Sequence, residues 1–528
     1  MKKTYTLLLI AALIISASSC SSGPKTVQEL TSVSSELTSA SSVSSTTVQE
    51  VSPGTEPTMT ASSETSAATV ISSDDKETDS TTAITAATTT ETANTTTTAA
   101  TTVASTTKAP ETTVTTTARS KEPETTAETT SATTSTISET TTAVTEKPRY
   151  DNSAEYTASV LKDGDSLTGG TYSATGKDES VLEASGNVKA SVTGAILKKI
   201  SGDASSADDS SFKGLNAGVR VYGSADVTLT DCVIEADAKN ATGVFAYDNG
   251  VIHISDSTVT VTGGGSGGVQ VAGGGTLYGN NLTVTSASKA AIRSDRGGGI
   301  MVIDGGSYTS KGSSGCPVIY STADITVKNA VGVSEQSRAV IIEGKNSVSL
   351  ENCTLTGNDQ STKSGSIRAN VLLYQSASGD AKEGTSVFSM TGGKMISQSG
   401  AMFYCTNTSS VVNLNNAELV LSDTGDLLIV SAGRWGKDGR NGGKCAFNAE
   451  DQALEGNITV DSISSLELNL TNSTYKGAIA NEGNVSVTLD SGSKWELTGD
   501  SYITEFNGDV SNIISNGYKL YVNGKQII

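Results

Sequence analysis

A short phrase that recurs between residues 218 and 356 constrains the fold of this 528-residue chain more than any other feature. Its copies begin at positions 227, 252, 277, 301, 325 and 348, at steps of 25, 25, 24, 24 and 23 residues. In the first copy, Val227 and Leu229 alternate with Thr228 and Thr230, and alternation of period two is typical of a β-strand. Repeats of this length are typical of solenoids, so the phrase predicts stacked coils of strands.

Each repeat also contains a corner residue and a further strand. Asp or Asn ends the first strand of the phrase in five copies, and both tolerate the left-handed backbone angles of a tight corner. These residues are Asp231, Asp256, Asn281, Asn329 and Asn352. Upstream of the phrase, the apolar segments 219–221, 244–246 and 269–271 recur at the same 25-residue step. Three short strands per ~24 residues predict an all-β, single-stranded parallel β-helix. An antiparallel sandwich or a propeller is the alternative, but the constant three-strand period argues against both.

The repeat also predicts which residues lie inside and where the coils are interrupted. Leu229, Ile254 and Leu277 are expected to stack as neighbours in one aliphatic core. A step of 40 residues separates positions 348 and 388, so one coil carries insertions, and the phrase resumes at position 412. We expect irregular connections at 201–212, 359–366, 376–385 and 431–445, and a terminal hairpin or cap at 518–524.

The first 148 residues differ in character from the rest. Residues 1–20 combine a basic start with an apolar stretch too short to span a bilayer, which predicts a signal peptide. The small residues before Cys20 resemble the lipobox of bacterial lipoproteins, although Ala17 departs from it, and this resemblance implies a lipid on Cys20. Ordinary signal cleavage is the alternative. Residues 21–148 are rich in Thr and Ser and lack Phe, Tyr and Trp, so we expect a disordered stalk before the β-helix domain, 149–528.

Composition limits the classes of partner and of catalyst. The net charge of −20 argues against nucleic acid, whose phosphates require a basic surface. The single histidine, His253, lies between two Ile residues and is expected to point outward. With one His and no Cys-x-x-Cys motif, neither a histidine-dependent triad nor a common zinc site is expected. Cys232 and Cys353 lie five coils apart, too far to bridge, so we expect reduced cysteines.

Several segments together resemble a known group of proteins. They are KAAIRSDRGGG at 289–299, GCPVIYSTADI at 315–325, VIIEGKNS at 340–347, LYQSASGD at 373–380, MFYCTNT at 402–408 and WGKDGRNGG at 435–443. They resemble the adhesin-like, right-handed parallel β-helix surface proteins of gut-type anaerobic bacteria, over roughly residues 160–525. The resemblance implies a right-handed coil and a cell-surface role. More distantly, the chain is similar to pectin-active and polysaccharide-binding β-helices, which is an analogy of fold alone.

An enzymatic reading depends on one local cluster, Arg293, Asp295 and Arg296. Lyases of this fold use calcium held by carboxylates and a basic residue that removes a sugar proton, so an arginine with a lowered pKa beside Asp295 would be needed. The Arg-x-Pro-x-x-Arg signature of those lyases and the Gly-His-Gly loop of the hydrolases are absent. A structural ion-pair cluster is the alternative reading. We therefore assign no catalytic residue, no resident metal and no cofactor; calcium belongs only to the lyase reading.

Two sets of side chains are candidates for ligand binding. The first set is the outward row of the third strand, Arg220, Phe245, Gln270 and Arg293, together with Asp295 and Arg296. The second set lies in the long irregular stretch: Arg434, Trp435, Lys437, Arg440 and Lys444. Trp435 would stack on a sugar ring while a cation meets a uronate carboxylate; alternatively, Trp435 packs inward and anchors its own loop.

These features favour a binding protein over an enzyme. The first hypothesis is a lipid-anchored protein on the outside of a bacterial cell, an adhesin or a polysaccharide-binding protein. Its partner would be a glycan or a polymer of a host or bacterial cell surface, and we expect a monomer that contacts the membrane through its N-terminal lipid. The alternatives are a calcium-dependent polysaccharide lyase or glycoside hydrolase acting on pectin-like polyuronates, and a structural surface spacer.

Overall fold

The structure, a computed structural model, describes residues 150–313 and 315–528. The predicted signal peptide, the lipid site at Cys20 and the stalk 21–148 lie outside the described residues. Within the described part, the chain winds as a parallel β-helix: most coils contribute one strand to each of three columns, and these strands pair with the equivalent strands of the next coil. No helix of the described part is long and apolar enough to cross a membrane.

Column A contains the first strand of the sequence phrase. Its strands are Ser166–Thr168, Lys189–Thr193, Asp226–Thr230, Val251–Ser255, Gly275–Ser286, Gly299–Ser313, Asp324–Lys328, Ser347–Glu351, Thr385–Thr391, Ser409–Asn415, Lys444–Glu450, Ser465–Thr471, Asn484–Leu489 and Glu505–Asn507. The two long strands, Gly275–Ser286 and Gly299–Ser313, continue through the corner into column B, so columns A and B form one 23-stranded sheet in the described residues.

Column B follows the corner. Besides the two shared strands, it contains Glu155–Thr157, Thr171–Ala174, Ile196–Lys199, Val233–Ala236, Thr258–Val261, Val331–Gln336, Thr354–Gly357, Lys394–Ser397 and Glu418–Val420. A separate four-stranded sheet follows these strands along the chain, made of Ala453–Glu455, Thr474–Lys476, Lys494–Glu496 and Ile513–Ile514. A short 3-10 helix, Val510–Asn512, precedes the last of these strands.

Column C is the third strand predicted upstream of each phrase. It is a 13-stranded sheet of Ser159–Val160, Leu182–Ser185, Val219–Tyr222, Val244–Tyr247, Val269–Ala272, Ile292–Ser294, Ile319–Ser321, Val340–Glu343, Ala369–Tyr374, Ala401–Thr406, Asp426–Val430, Asn457–Val460 and Ile479–Asn481. The strands Ser501–Ile503, Leu520–Val522 and Lys525–Gln526 form a separate three-stranded sheet. The last two are antiparallel, which confirms the predicted terminal hairpin.

The register of column A follows the sequence phrase without a slip. The first residues of the copies lie opposite one another in the order Val227, Ile252, Leu277, Met301, Ile325 and Val348. Across the insertions the stack continues through Phe388, Val412, Phe447, Leu468 and Val487. One predicted neighbour is wrong. Ile254 pairs with Leu229 in the preceding coil, as predicted, but with Gly279 in the following coil. Leu277 pairs with Ile252 instead.

The corner between columns A and B requires left-handed backbone. All five predicted corner residues have positive φ angles, between 50° and 53°, for example 53° at Asp231 and 50° at Asn281. In the copy that lacks Asp or Asn at this position, Gly305 adopts a φ of 72°. The side chains also join neighbouring coils, since Asn281 Nδ2 donates to Asp256 Oδ1 at 2.7 Å.

Asn352→Ala should be less stable than the native chain by about 1–2 kcal/mol, since Ala tolerates left-handed backbone poorly. Asn352 is exposed and has a φ of 52°, so little packing is lost. The matched variant Asn352→Gly should change stability by only a few tenths of a kcal/mol, because Gly adopts this conformation freely. Urea unfolding of both variants checks this; equal destabilisation would show that backbone strain is not the cause.

A single aliphatic core runs along the inside of the described coils. Toward the C-terminal half it becomes aromatic, since Phe403 packs edge-on between Phe388 and Phe447, with ring centroids 5.7 and 5.5 Å apart.

The five cysteines of the described part are buried and unbridged, as expected for reduced thiols, and Cys405 and Cys445 lie with their Sγ atoms 3.7 Å apart.

The connection 201–212 is not the open loop predicted from sequence. Helix α1, Ala207–Lys213, begins after Ser206, whose side chain accepts a hydrogen bond from the backbone N–H of Asp209. It ends at Gly214, which adopts a φ of 70°. Ser at the N-cap and Gly after the last turn are ordinary helix boundaries, but one short helix among strands gives no visible periodicity.

Candidate functional site

Side chains that point outward from column C form one continuous row, which we call the C-row. Its members lie opposite one another in the order Glu183, Arg220, Phe245, Gln270, Arg293, Tyr320, Ile341, Leu372, Tyr404 and Ile429. The four row residues named from sequence are therefore neighbours along one face, as their spacing predicted. Their role in binding stays a prediction.

Helix α1 covers the first part of the C-row, so the exposure predicted for these residues is wrong. Phe245 and Gln270 are fully buried, and Gln270 Nε2 donates to the carbonyl of Ser211 at 2.7 Å. Arg220 Nε donates to the carbonyl of Lys213 at 2.8 Å. Alternation along a strand shows only that a side chain points away from the core; the cover comes from a distant segment that alternation does not reveal.

Arg293, Asp295 and Arg296 do lie together, in the ion-pair arrangement of the structural alternative. Arg293 Nη2 lies 2.7 Å from Asp295 Oδ2, and the two side chains are 12% and 4% exposed. Asp295 Oδ1 accepts the backbone N–H of Arg296 at 3.1 Å. Arg296 pairs with Asp380 at 2.5 Å and lies over the ring of Phe212.

These contacts do not produce an arginine base. Burial by itself would lower the pKa of Arg293, but the charge of Asp295 outweighs it and the pKa lies above its usual value. The hydrogen bond to Asp380 likewise raises the pKa of Arg296. Both arginines therefore stay protonated, and a base role would require the opposite shift.

A buried carboxylate that sequence reasoning did not single out lies further along the same face. Glu343 is 1% exposed, and its Oε2 accepts the hydroxyls of Tyr320 at 2.5 Å and Tyr374 at 2.8 Å. Its Oε1 accepts the hydroxyl of Ser376. Burial raises the pKa of both tyrosines well above the usual value, so they stay protonated donors, and Glu343 fixes the loop 375–384 onto the face.

The loop 358–368 is fixed by a second buried charge. Asp359 Oδ2 lies 2.8 Å from Arg338 Nη2, and the two side chains are 0% and 7% exposed. Asp359 also accepts the backbone N–H groups of Ser361 at 2.9 Å and Ala369 at 3.2 Å. Arg338 Nη2 in turn donates to the carbonyl of Ile367 at 2.9 Å. These contacts give the loop a defined position above column C.

The loops 358–368 and 431–443 enclose an open cleft of about 490 Å³, which we call the loop cleft. One wall is Gly365, Ser366 and Ile367, and the other is Ala432, Gly433, Asp438, Gly439 and Asn441. The backbone N–H of Arg434 donates to the carbonyl of Gly365 at 3.2 Å and joins the two loops. The volume of the loop cleft is within the range of ligand pockets.

Trp435 is placed as the anchor of its loop. Its ring lies 4.9 Å from the ring of Tyr374, tilted by 44°, and the guanidinium of Arg434 lies 4.2 Å from the ring centroid. Trp435 also packs with the buried cluster that contains Leu372 and Tyr404. Because Tyr374 and Arg434 contact the ring of Trp435, the ring is not free to stack on a sugar. Its position agrees with the alternative that Trp435 anchors its own loop.

The cations of the second predicted set lie in the loop that forms one wall of the loop cleft, except Lys444, which begins the next column A strand. Lys437, Arg440 and Lys444 are exposed and Arg434 is half-buried. Among the described residues, none of the four has an ion-pair partner. Across 431–444 the only acid is Asp438, so the segment carries a net charge of +3 on a chain of net charge −20.

The remaining candidates for chemistry are isolated from this face. His253 is outward, with a side chain 46% exposed; it stacks on Tyr278 and lies 3.6 Å from Asp226. Within residues 150–313 and 315–528, no group of three or more His, Cys, Asp or Glu side chains is placed to hold a metal ion.

Comparison with known proteins leaves the function to be argued from the site itself. No family model, curated protein or solved structure matches the chain.

Proposed function

We propose that this chain is a bacterial cell-surface protein that binds polysaccharide on the loop-covered face of its β-helix. The observation that carries the proposal is the placement of the four longest connections of the described coils. Helix α1 and the loops 358–368, 375–384 and 431–443 all pack over column C. Binding residues are concentrated on loops held by a rigid scaffold, and the other connections between the described strands are shorter than these four.

The proposal includes the N-terminal segments predicted from sequence. A lipid on Cys20 would anchor the chain, and the Thr/Ser-rich residues 21–148 would hold the β-helix away from the membrane. The partner is a glycan or another polymer of a host or bacterial cell surface.

A screen of the purified full chain against immobilised pectin, mucin and cellulose tests this function. We expect retention on at least one polymer and release by the same polymer in solution. Failure to bind any polymer or any cell surface would contradict the proposal and favour the structural spacer.

The lyase or hydrolase alternative is less well supported by the same geometry. A lyase base would need a lowered arginine pKa, whereas the pKa values of Arg293 and Arg296 are raised. Both carboxylate oxygens of Asp295 are already engaged, by Arg293 and by the backbone of Arg296. Release of unsaturated product or of reducing ends from polyuronates by the purified chain would restore this alternative.

A further inference from the structure

We propose that the loop cleft is the binding site and that its ligand is an acidic polysaccharide, one whose sugars carry carboxylate or sulfate groups. This inference rests on the proposed function and names its site and ligand class. Two features support it: the pre-formed walls of the cleft, and the cations of the loop 431–443 that forms one of those walls.

The walls of the cleft are held in place before any ligand arrives. Asn441 Nδ2 donates to the carbonyls of Gly433 at 2.8 Å and Trp435 at 2.9 Å. The backbone N–H of Ala432 donates to Asp461 Oδ2 at 2.7 Å. Because these contacts already fix the loop, little ordering free energy is lost on binding.

One wall of the cleft also contains a buried acceptor that no described residue satisfies. Asn441 is 2% exposed and lines the cleft, and its Oδ1 atom has no hydrogen-bond partner among the described residues. The two carbonyls bound by its amide nitrogen fix which end of the amide is the oxygen. An unsatisfied buried acceptor costs free energy, but this atom is enclosed by the protein, so we assign it no contact with the ligand.

The cations define the charge of the ligand. Arg434, Lys437 and Arg440 belong to the same loop as the second wall, and none is neutralised by an ion pair within the described residues. Arginine binds carboxylate and sulfate in a planar, two-point geometry. A positive segment on a strongly negative chain therefore selects an anionic polymer that can reach it locally, while the rest of the surface repels bulk polyanion.

The test measures binding of the purified full chain to polygalacturonate, dextran sulfate, neutral dextran and single-stranded DNA. We expect binding to polygalacturonate, to dextran sulfate or to both, with the stronger of the two identifying carboxylate or sulfate as the preferred group. Neutral dextran and DNA should bind at least about tenfold more weakly, because charge and sugar shape are both required. Equal binding to DNA would overturn the inference by showing a non-specific anion surface.

The variant Lys437→Gln/Arg440→Gln removes two exposed charges without touching a buried contact. We expect its affinity for the acidic polymer to fall at least about fivefold, from the loss of two charge-assisted contacts. The matched control Lys494→Gln/Lys519→Gln makes the same charge change at exposed lysines near the C-terminal end and should bind like the native chain. Equal losses in both variants would show that only the net charge matters, which would overturn the site.

The variant Asp438→Asn is expected to gain affinity, and partial unfolding of a variant would not produce a gain. Asp438 is exposed, lines the cleft and is the only acid of its segment. Its removal should tighten binding of the acidic polymer about two- to threefold, because a nearby like charge is lost. Unchanged or weaker binding would count against the cleft as the site.

The two proposals fail in different ways. If the chain binds only neutral polysaccharides, or binds acidic ones equally well after the Lys437→Gln/Arg440→Gln change, the loop-cleft inference is wrong and the proposed function stands. If the chain binds no polymer at all, the proposed function itself is wrong.

Discussion

Asp359→Ala is expected to lower the free energy of unfolding by about 3–5 kcal/mol, because it leaves the buried charge of Arg338 without a partner. The side chains of Arg338 and Asp359 are 7% and 0% exposed, and Arg338 Nη2 lies 2.8 Å from Asp359 Oδ2. Burial already lowers the pKa of Arg338 in spite of the charge of Asp359. The variant also removes the acceptor of the backbone N–H groups of Ser361 and Ala369, so we expect the loop 358–368 to lose its position.

Urea unfolding followed by circular dichroism measures this loss, with Glu455→Ala as the matched control. Glu455 pairs with Lys476 at 2.9 Å, but the two side chains are 70% and 50% exposed, and an exposed pair contributes at most about 1 kcal/mol. The double variant Arg338→Met/Asp359→Leu should recover much of the stability, because no uncompensated charge remains. Similar midpoints for Asp359→Ala and Glu455→Ala would contradict the buried-charge argument.

Phe403→Ala is expected to destabilise the β-helix by about 3–5 kcal/mol, the usual cost of removing a buried aromatic ring. Phe403 is fully buried and is the middle ring of three, in edge-on contact with Phe388 at 5.7 Å and Phe447 at 5.5 Å. The rings come from two columns, so the cavity would loosen the contact between them and little backbone movement could fill it.

Ile300→Ala is the matched control for this change. Ile300 is also an apolar residue of a column strand, but its side chain is 48% exposed, so its truncation should change the free energy of unfolding by less than about 1 kcal/mol. Phe403→Leu should lie between the two, since it leaves a smaller cavity. If Phe403→Ala unfolds at the same urea concentration as Ile300→Ala, the aromatic stack does not carry the stability that we assign to it.

The fold was predictable from sequence because a β-helix repeats its physical constraints in every coil. The 23- to 25-residue step fixed the strand register, and the Asp and Asn corners were confirmed by φ angles near 50°. The one wrong neighbour, Leu277 beside Ile254, arose because Gly279 stands where an aliphatic residue was assumed. Alternation along a strand shows which face of the sheet each side chain occupies. Only the register between neighbouring coils shows which residue it contacts there.

The site was harder to predict because it depends on non-repeated segments. The cations of 431–444 were visible as a local change of charge sign. By contrast, the burial of Phe245 and Gln270 depends on helix α1, which lies more than 30 residues upstream of Phe245. Nothing in the sequence near Glu343 predicts its hydrogen bonds with Tyr320 and Tyr374. Asn441 could have been flagged only by its Gly-rich surroundings.

The antiparallel hairpin at residues 520–526 has a consequence for how such a molecule changes length. Each coil contacts only its neighbours, and the last strand of the hairpin, Lys525–Gln526, is too short to offer much of a template for another chain. Whole turns can therefore be duplicated or deleted in the middle of the β-helix while the hairpin is kept. The length of the binding face becomes a property that evolution can adjust in increments of one turn.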